Sequence, residues 1–254
     1  MHQKIKLGFF SFSAFNTSAE HKQYGVWHRY DHMPEVLALP GYAHGQRYVC
    51  PPAYAKARST NDASLAPSQY LTIYLISEPV DNAFAEMLRR GSELRAIPSR
   101  MIPPTVRVLQ GAFLLVKAYA SPRVLVSPDS IPYRPHRGLL VSVSQVLDAE
   151  RQDAVAEWYD RTHIPDMMTV PGVAGAYWYM STFLGKDHPF QAPRNYHIKV
   201  YYLDGEPLET LAEIRKRSAE WRKAGRYMDL AGINKYLFTS PFHTITNDKF
   251  DWFD

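Results

Sequence analysis

The sequence predicts an α+β protein in which a β-α-β-β-α-β unit occurs twice in one chain of 254 residues. Two observations carry this prediction: a sequence motif that recurs further along the chain, and an order of strand-like and helix-like segments that repeats with it. A proline-rich stretch between the two copies marks the boundary. The predicted protein is therefore a tandem duplication.

The recurring motif is Trp-x4-His-x-Pro-x5-Pro-Gly, and its two copies begin at Trp27 and Trp158. With these tryptophans superposed, seven identical residues align: Trp27, His32, Pro34, Pro40, Gly41, Ala43 and Tyr48 with Trp158, His163, Pro165, Pro171, Gly172, Ala174 and Tyr179. Further along, a slightly shorter shift pairs Tyr74 with Tyr202. Loops of different length between the shared elements explain the change of shift.

Hydrophobic patterning gives each half the order strand, helix, strand, strand, helix, strand. In the first half the segments are 5–12, 19–33, 42–50, 70–77, 82–96 and 106–119. In the second half they are 138–147, 149–164, 173–183, 196–203, 208–223 and 233–239. This is the order of the ferredoxin-like split unit, whose antiparallel sheet carries both helices on one face. The bare faces of two such sheets are expected to pack together and close a barrel.

The domain prediction is a first repeat over 1–120, a linker over 121–137 and a second repeat over 138–254. Four prolines between Ser121 and Arg137 favour an extended linker and disfavour helix. The segments 51–69 and 184–195 are long for hairpin loops, which leaves open either lids or ordinary surface loops.

Composition excludes several classes of protein. The chain is 46% hydrophobic and 21% charged, which is the balance of a globular protein. Its formal charge is +4, but the sequence lacks the stripe of basic residues interleaved with aromatic residues that is typical of nucleic-acid-binding proteins. The lone Cys50 excludes an internal disulfide and a multi-cysteine zinc site. No apolar run is long enough for a membrane span, and no signal peptide is recognised, so the cytoplasm is the predicted location. No glycine loop for a nucleotide phosphate is present.

The motif histidines are the candidate acid–base groups. His32 and His163 each lie two residues before a proline, which predicts that the helix ends near them. The helix dipole would raise the histidine pKa and burial would lower it, so a pKa near neutrality is expected, as general acid–base catalysis requires. His28 and Tyr159, four residues earlier, share the helix face and are expected to relay protons. Asp31 completes the predicted catalytic set.

Aromatic and histidine side chains near the motif are the expected substrate-binding groups: Trp27, Tyr30, His44, Tyr48, Tyr74, Trp158, Tyr179 and Tyr202. The first copy is slightly favoured as the active one, because His28, Asp31 and His44 lie close to His32 in the sequence. Two alternatives stay open: the histidines lock the helix ends, or the pair His28 and His32 holds zinc. The zinc alternative is disfavoured because the second copy has Tyr159 in place of His28.

The segment Trp158 to Asp166, with Val170-Pro171-Gly172, resembles the dimeric α/β-barrel superfamily, especially its EthD-like branch. His163-Ile164-Pro165-Asp166 is also similar to the stretch that supplies the catalytic histidine of bacterial chalcone isomerase. The resemblance implies a catalytic role for His163 and, through the repeat, for His32. The Gly-x2-Asp-Gly signature of the superfamily's haem peroxidases is not seen.

These patterns together predict a cofactor-independent enzyme, without metal, that uses histidine acid–base chemistry on an aromatic or polyketide-like small molecule. Isomerase, lyase, dehydratase and cyclase reactions all fit this expectation. The alternatives are a non-catalytic binding protein for a hydrophobic metabolite and a haem- or oxygen-dependent enzyme of the same fold. A homodimer is left open, and the aromatic, acidic end of the chain, Phe250 to Asp254, is expected to fray.

Overall fold

The computed structural model describes residues 5–100, 102–246 and 249–254. In the first half, strands β1 (Ile5–Ala14), β2 (Tyr42–Val49), β3 (Ser59–Thr60), β4 (Tyr70–Ser77) and β5 (Val106–Ala120) alternate with helices α1 (Ser18–Trp27), α2 (Met33–Leu37), α3 (Pro52–Ala57) and α4 (Val80–Arg95). In the second half, the strands are β6 (Gly138–Val146), β7 (Val173–Ser181), β8 (Tyr196–Leu203) and β9 (Asn234–Thr244), and the helices are α5 (Gln152–Trp158), α6 (Ile164–Met168) and α7 (Pro207–Lys223).

The strands form one antiparallel sheet in the order β2-β4-β1-β5-β7-β8-β6-β9, with the short β3 beside β9. The sheet closes because Tyr48 and Val49 of β2 pair with Thr244 and His243 of β9. Each half supplies four consecutive strands of the resulting eight-stranded barrel, joined across β5 and β7. The predicted α+β architecture, tandem ferredoxin-like repeats packed as a dimeric α/β-barrel, is confirmed.

The barrel interior is filled by side chains, and the helices lie on its outside. The interior cluster contains aromatic residues from both halves, including Phe10, Phe12, Phe113, Tyr48, Tyr177, Tyr179, Tyr202, Phe238 and Phe242. Two separate outer clusters hold the helices against the sheet, one in each half. Because side chains pack the interior, we expect a ligand site first between the helices and the outer face of the sheet.

The register of the strands corrects one sequence alignment. Ile76 lies opposite Tyr42 on β2, and Leu203 lies opposite Val173 on β7, so Ile76 and Leu203 occupy equivalent positions in the two halves. Two residues before this equivalent pair lie Tyr74 in the first half and Tyr201 in the second, so Tyr201 is the structural counterpart of Tyr74. The predicted pairing of Tyr74 with Tyr202 is wrong. Because successive strand residues point to opposite faces, one residue of error moved the prediction from the helix-covered face to the barrel interior.

The proline-rich segment between the halves is not fully extended. It forms two short 3₁₀ turns, Pro122–Val124 and Pro128–Tyr133, because proline is tolerated in the first turn of a helical segment. The boundaries 1–120, 121–137 and 138–254 stay a prediction. Among the described residues, no helix is long and apolar enough to cross a membrane.

Candidate functional site

The motif helices do not end at their histidines, contrary to the prediction. In both halves the chain passes through a π-helical turn, His28–His32 or Tyr159–His163, and continues into α2 or α6. The amide of Met33 donates to the His28 carbonyl, and the amide of Ile164 donates to the Tyr159 carbonyl, each across five residues. The following proline is accommodated because it occupies the first turn of the next helix. Such π turns are frequent at functional sites.

In the second half, the π turn borders a cavity of about 310 Å³ between the helices and the sheet. The helical side supplies Trp158, Tyr159 and His163, and the sheet supplies Ser144, Lys199, Tyr201, Asn234 and Tyr236. Tyr227, from the segment after α7, lies on the remaining side. Pockets of this size and aromatic character suit a small organic ligand.

The most unusual group in this cavity is Lys199, in the middle of β8 and only 2% exposed. Its Nζ lies 3.3 Å from Ser144 Oγ and 3.8 Å from the centroid of the Tyr159 ring. No carboxylate among the described residues forms an ion pair with it, so no negative charge compensates for the loss of hydration of the charged amine. Burial accordingly lowers the pKa of Lys199 to about 7. A large fraction of this lysine is a neutral amine at physiological pH.

Two polar side chains beside Lys199 lack partners. The hydroxyl of Tyr201 and both polar atoms of the Asn234 amide are buried without a hydrogen-bond partner among the described residues. An unpaired buried polar group costs about 1–3 kcal/mol, so such groups are rare unless a ligand or water completes them. Tyr201 and Asn234 are only 2% and 7% exposed. They can donate hydrogen bonds to an oxygen atom of a molecule in the cavity.

His163 lies at the cavity wall, with its ring stacked on Trp158 at 5.0 Å between centroids. Burial and the charge of Lys199 lower the pKa of His163 to about 4, against an opposing effect of Asp166. Asp166 is itself held by Arg226, whose Nε and Nη2 lie 2.8 and 2.6 Å from its carboxylate oxygens. His163 is therefore neutral at physiological pH.

The equivalent place in the first half has different chemistry. The His32 ring stacks on the Trp27 ring with 4.7 Å between centroids, as His163 stacks on Trp158. However, Thr72 occupies the strand position that Lys199 has in the second half, and Thr72 Oγ1 lies 3.3 Å from His28 Nε2. The pKa of His32 is also lowered to about 4, by burial and then by Arg100 and Arg47. The expected near-neutral pKa is wrong for both motif histidines. Burial and neighbouring positive charges lower the pKa of each histidine. The helix dipole does not raise it as expected, because the helices do not end at these residues.

The end of the chain does not fray. Phe253 stacks on His21 of α1 with 4.1 Å between ring centroids, and Phe250 packs directly over Gly25, where a side chain would clash. Trp252 and Phe253 join the apolar cluster around Tyr24 and Tyr70. The prediction of a frayed terminus is wrong because this segment finds an aromatic surface on the first half to cover.

The predicted site residues fall into five places. The second-half cavity brings together Trp158, Tyr159 and His163, and the first-half π turn groups Trp27, His28, His32 and Tyr74. Tyr48, Tyr179 and Tyr202 are packed inside the barrel, and His44 contacts Tyr133. Tyr30 and Asp31 are exposed on the helix surface. No single pocket collects the predicted set.

Sequence reasoning missed Lys199, Ser144, Tyr201, Asn234 and Tyr227. One signal was present for the first: Lys199 interrupts the apolar run from Ile198 to Leu203, in a strand buried on both faces. A lysine at such a position is rarely buried without a function or a partner. Tyr201 lies on the same strand as Lys199, Ser144 and Asn234 come near it because β6 pairs with both β8 and β9, and Tyr227 joins them from the segment after α7.

No protein-family model matches the chain, and the search of curated proteins finds no match. Among solved structures, a protein described as a chlorite dismutase is 14% identical over 95% of both chains, with a TM-score of 0.51. An anthrone oxidase-like protein is 10% identical over 97% of this chain and 96% of that one, also with a TM-score of 0.51. A protein described as a monooxygenase from Fusobacterium nucleatum is 10% identical over 97% and 94%, with a TM-score of 0.49.

The two likenesses with a TM-score of 0.51 show the dimeric α/β-barrel fold. The prediction of a cofactor-independent isomerase or lyase is wrong, because the structural neighbours carry the names of oxidative enzymes. Those names belong to the neighbours, so the alternative of a haem- or oxygen-dependent enzyme stays a proposal for this chain. The sequence motif misled because it marks the fold, and one fold hosts many reactions.

The cavity residues do not fit a haem. A haem-ligating histidine needs a broad flat slot beside its ring, whereas the ring centroids of Tyr159 and Tyr227 lie 5.5 and 6.1 Å from that of His163. The buried Lys199 amine occupies the sheet side. A space of about 310 Å³ lies at the lower end of ligand pockets, below what a tetrapyrrole requires.

Proposed function

We propose that this chain is an oxygen-dependent oxidoreductase that oxidises a fused-ring phenolic ketone of the anthrone class in the second-half cavity. The observation that carries the proposal is that the buried Lys199, which has no carboxylate partner among the described residues, lines the same cavity as the unpartnered hydroxyl of Tyr201 and amide of Asn234. A base with a pKa of about 7 beside two hydrogen-bond donors is the equipment needed to form and stabilise a substrate carbanion. The anthrone oxidase-like neighbour supports the choice of substrate class.

The reaction begins with proton transfer. The neutral Lys199 amine takes a proton from the ring CH₂ next to the aromatic system, and the negative charge moves onto the ketone oxygen. Tyr201 Oη–H and the Asn234 amide donate hydrogen bonds to that oxygen, so the charge develops where donors are already placed. Neutral His163 adds no second positive charge beside the newly formed Lys199 ammonium.

The carbanion then passes its electron pair to molecular oxygen, the second substrate, and a carbon–oxygen bond forms. The Lys199 ammonium returns its proton to the terminal peroxide oxygen. The Lys199 amine takes the remaining C–H proton, and the electron pair of that bond forms the second C=O bond as the O–O bond breaks. The departing hydroxide then takes the proton from the Lys199 ammonium and leaves as water, and a second ketone stays on the ring. One oxygen atom enters the product and one becomes water, with no further electron donor.

The aromatic walls of the cavity serve binding. Trp158, Tyr159 and Tyr236 present ring surfaces on which a flat substrate can pack, and the cavity volume of about 310 Å³ suits a molecule of about three fused rings. These aromatic walls also limit the contact of the carbanion with water.

The test measures oxygen consumption and quinone formation with anthrone as substrate, after subtraction of the uncatalysed rate. The wild-type protein is expected to incorporate one labelled atom from ¹⁸O₂ per product, and Lys199→Gln is expected to lose about 100-fold to 10,000-fold in kcat. The matched control is Thr72→Val, which changes the equivalent position of the first half and should retain activity. Equal rates for wild type and Lys199→Gln would overturn the assignment of the base.

A further inference from the structure

The C-terminal segment reveals what one surface of the repeat binds. In the first half, the Phe253 ring lies on His21 and 5.6 Å from the Tyr70 ring. The carboxylate of Asp254 lies close enough to oppose the lowering of the pKa of His21 that burial causes. An aromatic ring followed by a carboxylate thus occupies the groove between α1 and the sheet.

The second half contains the same groove without an occupant from this chain's described residues. Gln152 lies six residues before the motif tryptophan, as His21 does. His197 pairs with Ser144 and Met180, as Tyr70 pairs with Ser13 and Val49. These two residues line a cavity of about 660 Å³, about twice the volume of the Lys199 cavity.

The cavity is equipped to hold an anionic group. Trp178 Nε1 donates to His197 Nδ1 at 3.3 Å, so the neutral ring carries its own proton on Nε2. Arg194 adds a guanidinium at the cavity wall. Both amide atoms of Gln152 are buried and without a partner among the described residues. Asp153 is the one acidic residue in the described lining and opposes the positive charge.

The lining also contains polar residues of β7 and of the following loop, and two apolar side chains in it are unusually exposed. Phe183 is 67% exposed and Met180 39% exposed, and the guanidinium of Arg194 lies 5.9 Å from the Phe183 ring centroid. Val146 forms part of the opposite wall. An exposed aromatic ring beside a cation and a buried, neutral imidazole is a combination that recognises a flat ring bearing a carboxylate.

We infer that the cavity between α5 and the end of β7 is a second binding site, specific for small aromatic carboxylates. The ring packs on Met180 and Phe183, and the carboxylate accepts hydrogen bonds from Arg194 and His197. The site lies beside the Lys199 cavity, because His197 and Lys199 are two residues apart on the same face of β8. It is independent of the proposed oxidation chemistry.

The experiment titrates the full-length protein with 2-naphthoate and follows binding by calorimetry, with uncharged 2-naphthol as the comparison. We expect 2-naphthoate to bind at least tenfold more tightly than 2-naphthol, and Arg194→Gln to abolish that preference. Asp153→Asn, which removes the opposing charge, should tighten 2-naphthoate binding two- to threefold. The matched control is Arg215→Gln, on α7 outside the cavity lining.

The outcomes separate this site from the oxidation site. Lys199→Gln is expected to keep the wild-type affinity for 2-naphthoate while losing oxygenase activity. The inference is overturned if Arg194→Gln binds 2-naphthoate as tightly as wild type, or if Lys199→Gln alone abolishes binding, which would place the ligand in the Lys199 cavity. His197→Phe, which keeps a ring but removes the Nε2–H donor, should weaken 2-naphthoate binding even if Arg194→Gln fails to fold.

Discussion

Replacing Lys199 with methionine should change how the stability of the protein depends on pH. In the unfolded chain the lysine pKa is about 10.5, and in the folded protein burial lowers it to about 7. Between these values the unfolded state binds more protons than the folded state, so the free energy of unfolding rises with pH. Above pH 10.5 the lysine is neutral in both states, and the stability that its neutral form allows is present in full. As the pH falls towards 7, the unfolded state is favoured by proton binding and this stability is lost.

The magnitude follows from the pKa difference. At about 1.36 kcal/mol per pKa unit, the change from 10.5 to about 7 amounts to about 5 kcal/mol for a side chain that is 2% exposed. Methionine fills similar space without charge and removes this dependence. Lys199→Met should therefore be more stable than wild type at pH 6, and the advantage should shrink steadily towards pH 10.

The assay is urea denaturation of wild type and Lys199→Met at intervals between pH 6 and 10. Taking the difference between the two proteins cancels the titration of the tyrosines and of other groups that both share. Thr72→Met, at the matched first-half position, serves as the control and should show a difference from wild type that does not vary with pH. A pH-independent difference for Lys199→Met would refute the depressed pKa, and with it the base proposed for catalysis.

Three further predictions concern stability and the pH dependence of activity. The value of kcat for anthrone oxidation should rise about tenfold per pH unit below pH 7 and level off above it, because Lys199 loses its proton. If a histidine with a pKa of about 4 were the base, kcat would already be constant from pH 5 upwards. Stopped-flow absorbance measured across this pH range distinguishes the two profiles. Asp166→Asn should lower the urea midpoint because it weakens the paired hydrogen bonds from Arg226. The decrease should be modest, since solvent screens the half-exposed guanidinium, and an unchanged midpoint would contradict the prediction. Phe253→Ala should cost about 1 kcal/mol and increase proteolysis of the chain end, since it removes a half-buried ring from His21; equal cleavage rates would argue against docking of the tail.

The sequence by itself determined the duplication and the fold. Strand and helix periodicity is a local property, and the motif that begins at Trp27 and Trp158 survives in both copies, so the order of elements could be read in each half. The closed barrel followed because each unit has one sheet face without helices. The motif also located the π turn, although it gave no indication that the helix continues beyond His32 and His163.

Only the tertiary structure revealed that the two halves differ in chemistry beside their motif histidines. The sequence placed both histidines in equivalent motifs and favoured His32, but the equivalent strands β4 and β8 put Thr72 beside one helix and Lys199 beside the other. A pKa depends on burial and on neighbours brought from distant elements, and a single-residue error in register exchanges Tyr201 for Tyr202 across the sheet. Local pattern fixes the elements, whereas the chemistry of the site depends on which side chains the closed barrel brings face to face.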